Sequence, residues 1–118
     1  MPTNTNPRLL LESVDGVTVV TFAEKSLLSG QTIQEVAAEL KLIDGLLSSK
    51  VLINFDGVEY LSSALLAELF WLRRRIDAAG GQTKLCCIRP DLIEVFSATG
   101  FDRKFEIFDN EYRALDSF

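Results

Sequence analysis

Val51-Leu52-Ile53-Asn54-Phe55-Asp56-Gly57-Val58-Glu59-Tyr60-Leu61-Ser62-Ser63 opens the stretch on which the fold turns, and Gly80-Gly81 closes it. Residues 51–55 are apolar at nearly every position, the pattern of a central strand buried on both faces. Asp56-Gly57 reads as a turn. From about 63 to 79, Leu65, Leu69, Leu72 and Ile76 recur at helical spacing, and the glycine pair stops the helix by taking the left-handed conformation without penalty. Two hydroxyls therefore stand where a strand gives way to a helix. With Ser62 as the cap and Ser63 as the first helical residue, a phosphate on Ser63 would meet free N–H groups and the positive end of the helix dipole. That placement suits a serine that is modified and read by another protein better than it suits an active site.

Working outward, residues 8–14 and 17–22 are β-rich runs joined by Asp15-Gly16, a hairpin signal. Residues 23–29 are less regular. Ile33, Val36, Ala37, Leu40, Ile43 and Leu47 predict a helix over 30–47, with Glu35 and Glu39 on its solvated face and Leu42 off the stripe. Beyond Gly81, a strand is predicted over 83–88. A helix opened by Pro90 and Asp91 follows, with Leu92, Val95, Phe96 and Thr99 inward and Gly100 as its stop. A short strand over 105–108 and a last helical segment capped by Asn110 complete the order β-β-α-β-α-β-α-β-α. This is an α/β chain with helices packed on a mixed, mostly parallel sheet. Residues 1–7 read as a flexible lead and 8–118 as one domain.

The 118 residues carry 12 basic and 17 acidic side chains, net −5, with 47% hydrophobic residues. An acidic balance argues against a nucleic-acid partner and against an anionic membrane surface. No apolar run is long enough to span a bilayer, and the N-terminus lacks the pattern of a signal peptide. The two cysteines, Cys86 and Cys87, are adjacent. In a strand they would point to opposite faces, so neither a mutual bridge nor a metal site is expected, and a reducing cytoplasm suits them.

No enzyme chemistry is legible. Histidine is absent, which removes the commonest general base and metal ligand. No glycine-rich phosphate loop is present. No catalytic residue, metal or cofactor is called for. One alternative places Asp56, after a central strand, as the acceptor of a phospho-accepting receiver domain. The paired acids and the lysine of such a domain are missing from the expected positions.

The ordered set of Asp56-Gly57-Val58, an aromatic and an aliphatic residue, Ser62-Ser63, a helix, Gly80-Gly81, a strand, Arg89-Pro90, and a helix ending Thr99-Gly100-Phe101-Asp102 resembles the STAS domain, the fold of bacterial anti-sigma factor antagonists. The resemblance runs over residues 9–115. It implies a non-enzymatic regulatory domain that binds an anti-sigma factor doubling as a serine kinase. In the family's switch segment Leu61 takes the aliphatic place, Ser62 the aspartate place and Ser63 that of the phosphorylated serine. Ala64, Leu65 and Leu66 then stand at the second hydroxyl, glycine and leucine places. Ser63, with Ser62 second, is thus the modification site that the resemblance implies. An alternative within the same fold is a STAS subunit of a transport system or of a larger signalling assembly.

The same helix offers a docking face. Ser63, Ala67, Phe70 and Arg74 recur at steps of four, three and four, roughly opposite the Leu65–Leu69–Leu72 stripe. With Asp56 and Ser62 they make up the candidate partner-binding set. Phe70 and Trp71 cannot both turn fully inward. Either the helix is buried on two sides and both are core, or one anchors a partner.

Overall fold

A computed structural model describes residues 7–46 and 49–118. Its first strands, β1 (Leu9–Val14) and β2 (Val17–Phe22), form the expected antiparallel hairpin. Asp15 and Gly16 both take positive φ, 51° and 82°, as the tight turn that matches strand twist requires. The chain continues through β3 (Ser26–Leu27), α1 (Gly30–Ile43), β4 (Lys50–Asn54), β5 (Tyr60–Leu61), α2 (Ser63–Ala78) and β6 (Gln82–Cys86). It ends with α3 (Pro90–Thr99), β7 (Glu106–Phe108) and α4 (Glu111–Asp116). Five strands form one sheet in the order β1-β2-β4-β6-β7, parallel except for β1. The mixed, mostly parallel α/β sheet is the architecture expected from the sequence.

Burial on both faces explains the unbroken apolar run of β4. Val51, Ile53 and Phe55 face a large core shared with α1, α2 and α3. Leu52 faces a smaller one with Val17, Val19, Cys86 and Ala114, beneath α4. The α4 cover is held by Lys84, a buried amine on β6. Its Nζ donates to the carbonyl and the hydroxyl of Ser117, both at 2.9 Å, and lies 4.7 Å from the Phe118 ring centre. Asn110 caps α4 by accepting the Arg113 N–H at 2.8 Å.

Several expectations need correction. The irregular stretch 23–29 holds β3, which pairs in parallel with β5 as a separate two-stranded sheet. Helix α1 stops at Ile43 and tightens into a 3₁₀ turn over Asp44–Leu46, where Gly45 weakens helix continuation; residue 47 lies outside the described residues, as does all of the predicted lead except Pro7. Glu35 and Glu39 do not simply line a solvated face. Glu39 accepts the backbone N–H groups of Arg8 and Leu9 at 2.9 to 3.0 Å, and Glu35 pairs with the Arg8 side chain, so both clamp the start of β1 to α1. That pairing holds the Glu35 carboxyl below its ordinary range. Thr99 is exposed, not inward; its hydroxyl donates to the Val95 carbonyl at 2.7 Å. The strand predicted over 83–88 ends at Cys86, because Cys87 adopts a φ of 64°.

Candidate functional site

The segment between β4 and α2 is pinned at each step. The Asp56 N–H donates to Asn54 Oδ1 at 2.7 Å, and Asn54 Nδ2 donates to Glu111 Oε1 at 2.8 Å. Gly57 turns the chain with a φ of 87°, and the Val58 N–H reaches back to the Phe55 carbonyl at 3.0 Å. Glu59 and Tyr60 then donate to the Lys25 carbonyl, at 2.8 and 3.1 Å, and Ser62 donates to the Leu27 carbonyl at 3.1 Å. The β3–β5 pair thus delivers Ser62 to the N-cap of α2 with an extended backbone.

The two serines part company here. Ser62 occupies the cap position, but its side chain makes no capping bond; its Oγ is buried and unpartnered. The expectation that its hydroxyl serves as a cap is corrected on that point: the backbone cap is formed, the side-chain one is not. Ser63 is exposed at the first helical position. The Leu65 N–H bonds to the Ser62 carbonyl at 3.2 Å, whereas the N–H groups of Ser63 and Ala64 find no backbone acceptor among the described residues. A helix mouth with free donors and a positive dipole end favours an anion.

Further along α2, Ala67 and Arg74 are exposed and Phe70 is half-buried. Phe70 packs edge-on against Phe101 and Phe105, with ring centres at 6.0 and 6.2 Å, and Lys104 Nζ lies 4.9 Å from its ring centre. Trp71 is also half-buried, beneath the Arg75 guanidinium at 5.6 Å. Neither aromatic is wholly core and neither stands free. Ala67, Phe70, Trp71, Arg74, Arg75 and Ala78 line a shallow groove of about 490 Å³. The structure therefore brings Ala67, Phe70 and Arg74 together, with Ser63 one turn before Ala67. Asp56 is exposed on the preceding turn and makes no hydrogen bond to Ser62 or Ser63.

Two residues that the sequence reading passed over belong to this region. Tyr60 and Leu28 are 56% and 49% exposed. Tyr60 lies on β5, and Leu28 follows the Leu27 that pairs with Leu61. Only the β3–β5 pairing, between segments more than thirty residues apart in a region without periodic signal, places Leu28 beside the serines.

Chemically the arrangement offers an accessible hydroxyl at a helix mouth and a surface beside it. Among the described residues no three His, Cys, Asp or Glu side chains converge as metal ligands, and none of the helices there is long and apolar enough to cross a membrane. An antiparallel β1 at the sheet edge also differs from the parallel, doubly wound sheet that a receiver domain requires.

The mixed sheet with one antiparallel edge strand, and the short β3–β5 ribbon that leads into α2, make up an α/β fold shared with solved STAS domain structures. The chain belongs to the STAS domain family, whose model it matches over residues 8–114. BtrV of Bordetella bronchiseptica, which carries the name of an anti-sigma factor antagonist, is 22% identical over 111 residues, covering 94% of each chain. Among solved structures, a STAS domain protein from Planctomyces limnophilus superposes with a TM-score of 0.80 at 22% identity, over 92% of this chain and 96% of that one. The phosphorylated form of SpoIIAA, a Bacillus cell fate determinant, does so with a TM-score of 0.67 at 20% identity, over 92% and 97%.

Proposed function

We propose that this protein is a regulatory binding protein of the anti-sigma factor antagonist kind. It docks a protein partner through the N-terminal end and outer face of α2, and phosphorylation of Ser63 releases that partner. The observation that carries the reading is the exposed Ser63 hydroxyl at the mouth of α2, beside unbonded N–H groups. Similarity to BtrV, named as an anti-sigma factor antagonist, supports the class of partner, an anti-sigma factor; that this partner is also a serine kinase is what the family resemblance implies. A phosphorylated solved form of SpoIIAA supports the mode of control.

A phosphate adds about −1.5 to −2 charges at neutral pH. At Ser63 those charges meet the favourable end of the helix, so the modification leaves the fold intact and acts on the partner through bulk and charge. Ser62, Ala67, Phe70, Arg74 and Asp56 belong to the same docking surface in this reading, with Ser63 as its control point. Ser62, whose oxygen is buried, is the lesser candidate for modification.

The test is reconstitution with a candidate kinase–anti-sigma factor, such as a serine kinase encoded beside this gene. Phosphate is expected on Ser63 by peptide mass spectrometry, and none on Ser63→Ala. Ser63→Asp should lose the partner in calorimetry while keeping the wild-type melting temperature. Equal binding by wild type and Ser63→Asp would overturn the reading.

A further inference from the structure

Cys86 and Cys87 are neighbours whose side chains a continuing strand would send to opposite faces. Cys86 ends β6, and Cys87 takes a left-handed φ of 64°, a conformation that costs a non-glycine residue about 1 to 2 kcal/mol. The bend brings the sulfurs together: the Cys87 thiol donates to the Cys86 sulfur at 3.4 Å, and both are free thiols. The backbone holds them there. The Cys86 carbonyl accepts the Phe55 N–H at 3.0 Å, and the Cys87 N–H donates to the Phe108 carbonyl at 3.3 Å. The two environments differ. Cys86 is fully buried with Val17, Val19, Leu52 and Ala114, whereas Cys87 is only partly buried at the rim of that cluster. Burial also pushes the Cys86 thiol up, away from ionisation.

We propose that Cys86–Cys87 is a modification site, a vicinal dithiol that a hydroperoxide converts reversibly into an internal disulfide. Cys87, the less buried of the two cysteines, attacks the peroxide as its thiolate. An S–O bond forms, the O–O bond breaks, and the alcohol (water, for hydrogen peroxide) leaves with a proton, so that Cys87 becomes a sulfenic acid. The Cys86 sulfur then attacks Cys87; the S–S bond forms, the S–O bond breaks, and hydroxide leaves as water with the Cys86 proton. Two thiols and one hydroperoxide thus give one disulfide, one alcohol and one water, and the peroxide takes up both electrons.

The geometry asks for little motion. A disulfide bond is about 2.0 Å long, so the sulfurs close by about 1.4 Å from their 3.4 Å separation. Adjacent Cα atoms stand about 3.8 Å apart, below the usual disulfide range that begins near about 4.4 Å. The resulting ring is strained and hence readily reduced, which makes the modification reversible.

The test treats the folded protein with hydrogen peroxide, alkylates it in denaturant, and reads the intact mass. The wild type is expected to lose both free thiols and two hydrogens as a monomer, and to regain them with dithiothreitol. Cys86→Ser should stop at a sulfenic acid trapped by dimedone, and Cys87→Ser should oxidise roughly tenfold more slowly. Because Cys86→Ser touches the core, phenylarsine oxide on the wild type gives an independent readout. One arsenical should bind per chain, blocking both thiols with release of water. Sulfinic acid on Cys87 beside a free Cys86, disulfide-linked dimers in place of internal closure, unchanged alkylation after peroxide, or no arsenical binding would each overturn the proposal.

Discussion

Ser62 and Ser63 are consecutive, yet the Ser62 hydroxyl is buried without a partner while Ser63 stands exposed at the first position of α2. An N-cap serine that bonds the helix loses about 1 kcal/mol on replacement by alanine. Ser62 makes no such bond, and burial of an unpaired hydroxyl is itself unfavourable. Ser62→Ala is therefore expected to leave the urea midpoint unchanged or raise it. A loss of about 1 kcal/mol would show that the hydroxyl caps α2 in solution. Asn110→Ala is the control, since its capping bond is formed, and should cost about 1 kcal/mol.

Gly81 is required by space. A Cβ placed there would stand 2.3 Å from the Ser49 carbonyl oxygen and 2.7 Å from Ile76 Cγ2. The Gln82 N–H donates to that same Ser49 carbonyl at 2.7 Å, so the backbone has little room to yield. Gly81→Ala should destabilise by about 2 kcal/mol or more, measured by urea denaturation.

Phe70 joins the outer groove of α2 to the core through Phe101 and Phe105. Phe70→Ala is expected to cost about 2 to 3 kcal/mol, less than a fully buried phenylalanine, because the ring is only half-covered. Arg74→Ala, on the exposed side of the same groove, should leave the melting temperature within about 1 °C of wild type. A partner that docks on this face should bind Arg74→Ala more weakly, which calorimetry would measure.

Lys84 fastens α4 through Ser117 and sits against Phe118. Lys84→Ala removes the bonds to Ser117 and the ion pair to Glu106 and opens a cavity where the buried stem packed, at a cost of about 2 kcal/mol. Amide exchange should speed up across Glu111–Asp116 before it does in β4. Uniform acceleration would mean that α4 is held mainly by Ala114 packing.

The Arg8–Glu35 pair makes stability depend on pH in a definite direction. Its folded-state carboxyl titrates below the ordinary glutamate value, so its contribution is present above the unfolded pKa and is lost as pH falls through the folded one. The difference in urea midpoint between wild type and Glu35→Gln should thus be present above about pH 5 and shrink as the pH drops below about 4. A difference that grows toward acid would contradict the pairing.

Much of this was legible in one dimension, because local periodicity and turn chemistry report local structure. The unbroken apolar run of β4, the Asp15-Gly16 hairpin, the Leu65–Leu69–Leu72–Ile76 stripe, the helix-opening Pro90 and the caps Asn110 and Gly100 each act over a few residues. They stand where their spacing put them. The start of α2 at Ser63 was readable for the same reason.

What only the tertiary structure decided were contacts between distant segments. The β3–β5 ribbon pairs Ser26 with Tyr60, and no local pattern signals a two-residue strand. Glu39 looks like a surface acid until the Arg8 and Leu9 amides arrive from another element. Lys84 is buried on β6 because α4 and the chain after it fold over its amine. The left-handed bend at Cys87 goes with a bond from its N–H to the Phe108 carbonyl across the sheet, and a period-two pattern cannot foresee it. Side-chain spacing along a chain encodes which face is buried; which partner covers that face depends on the closing of long loops.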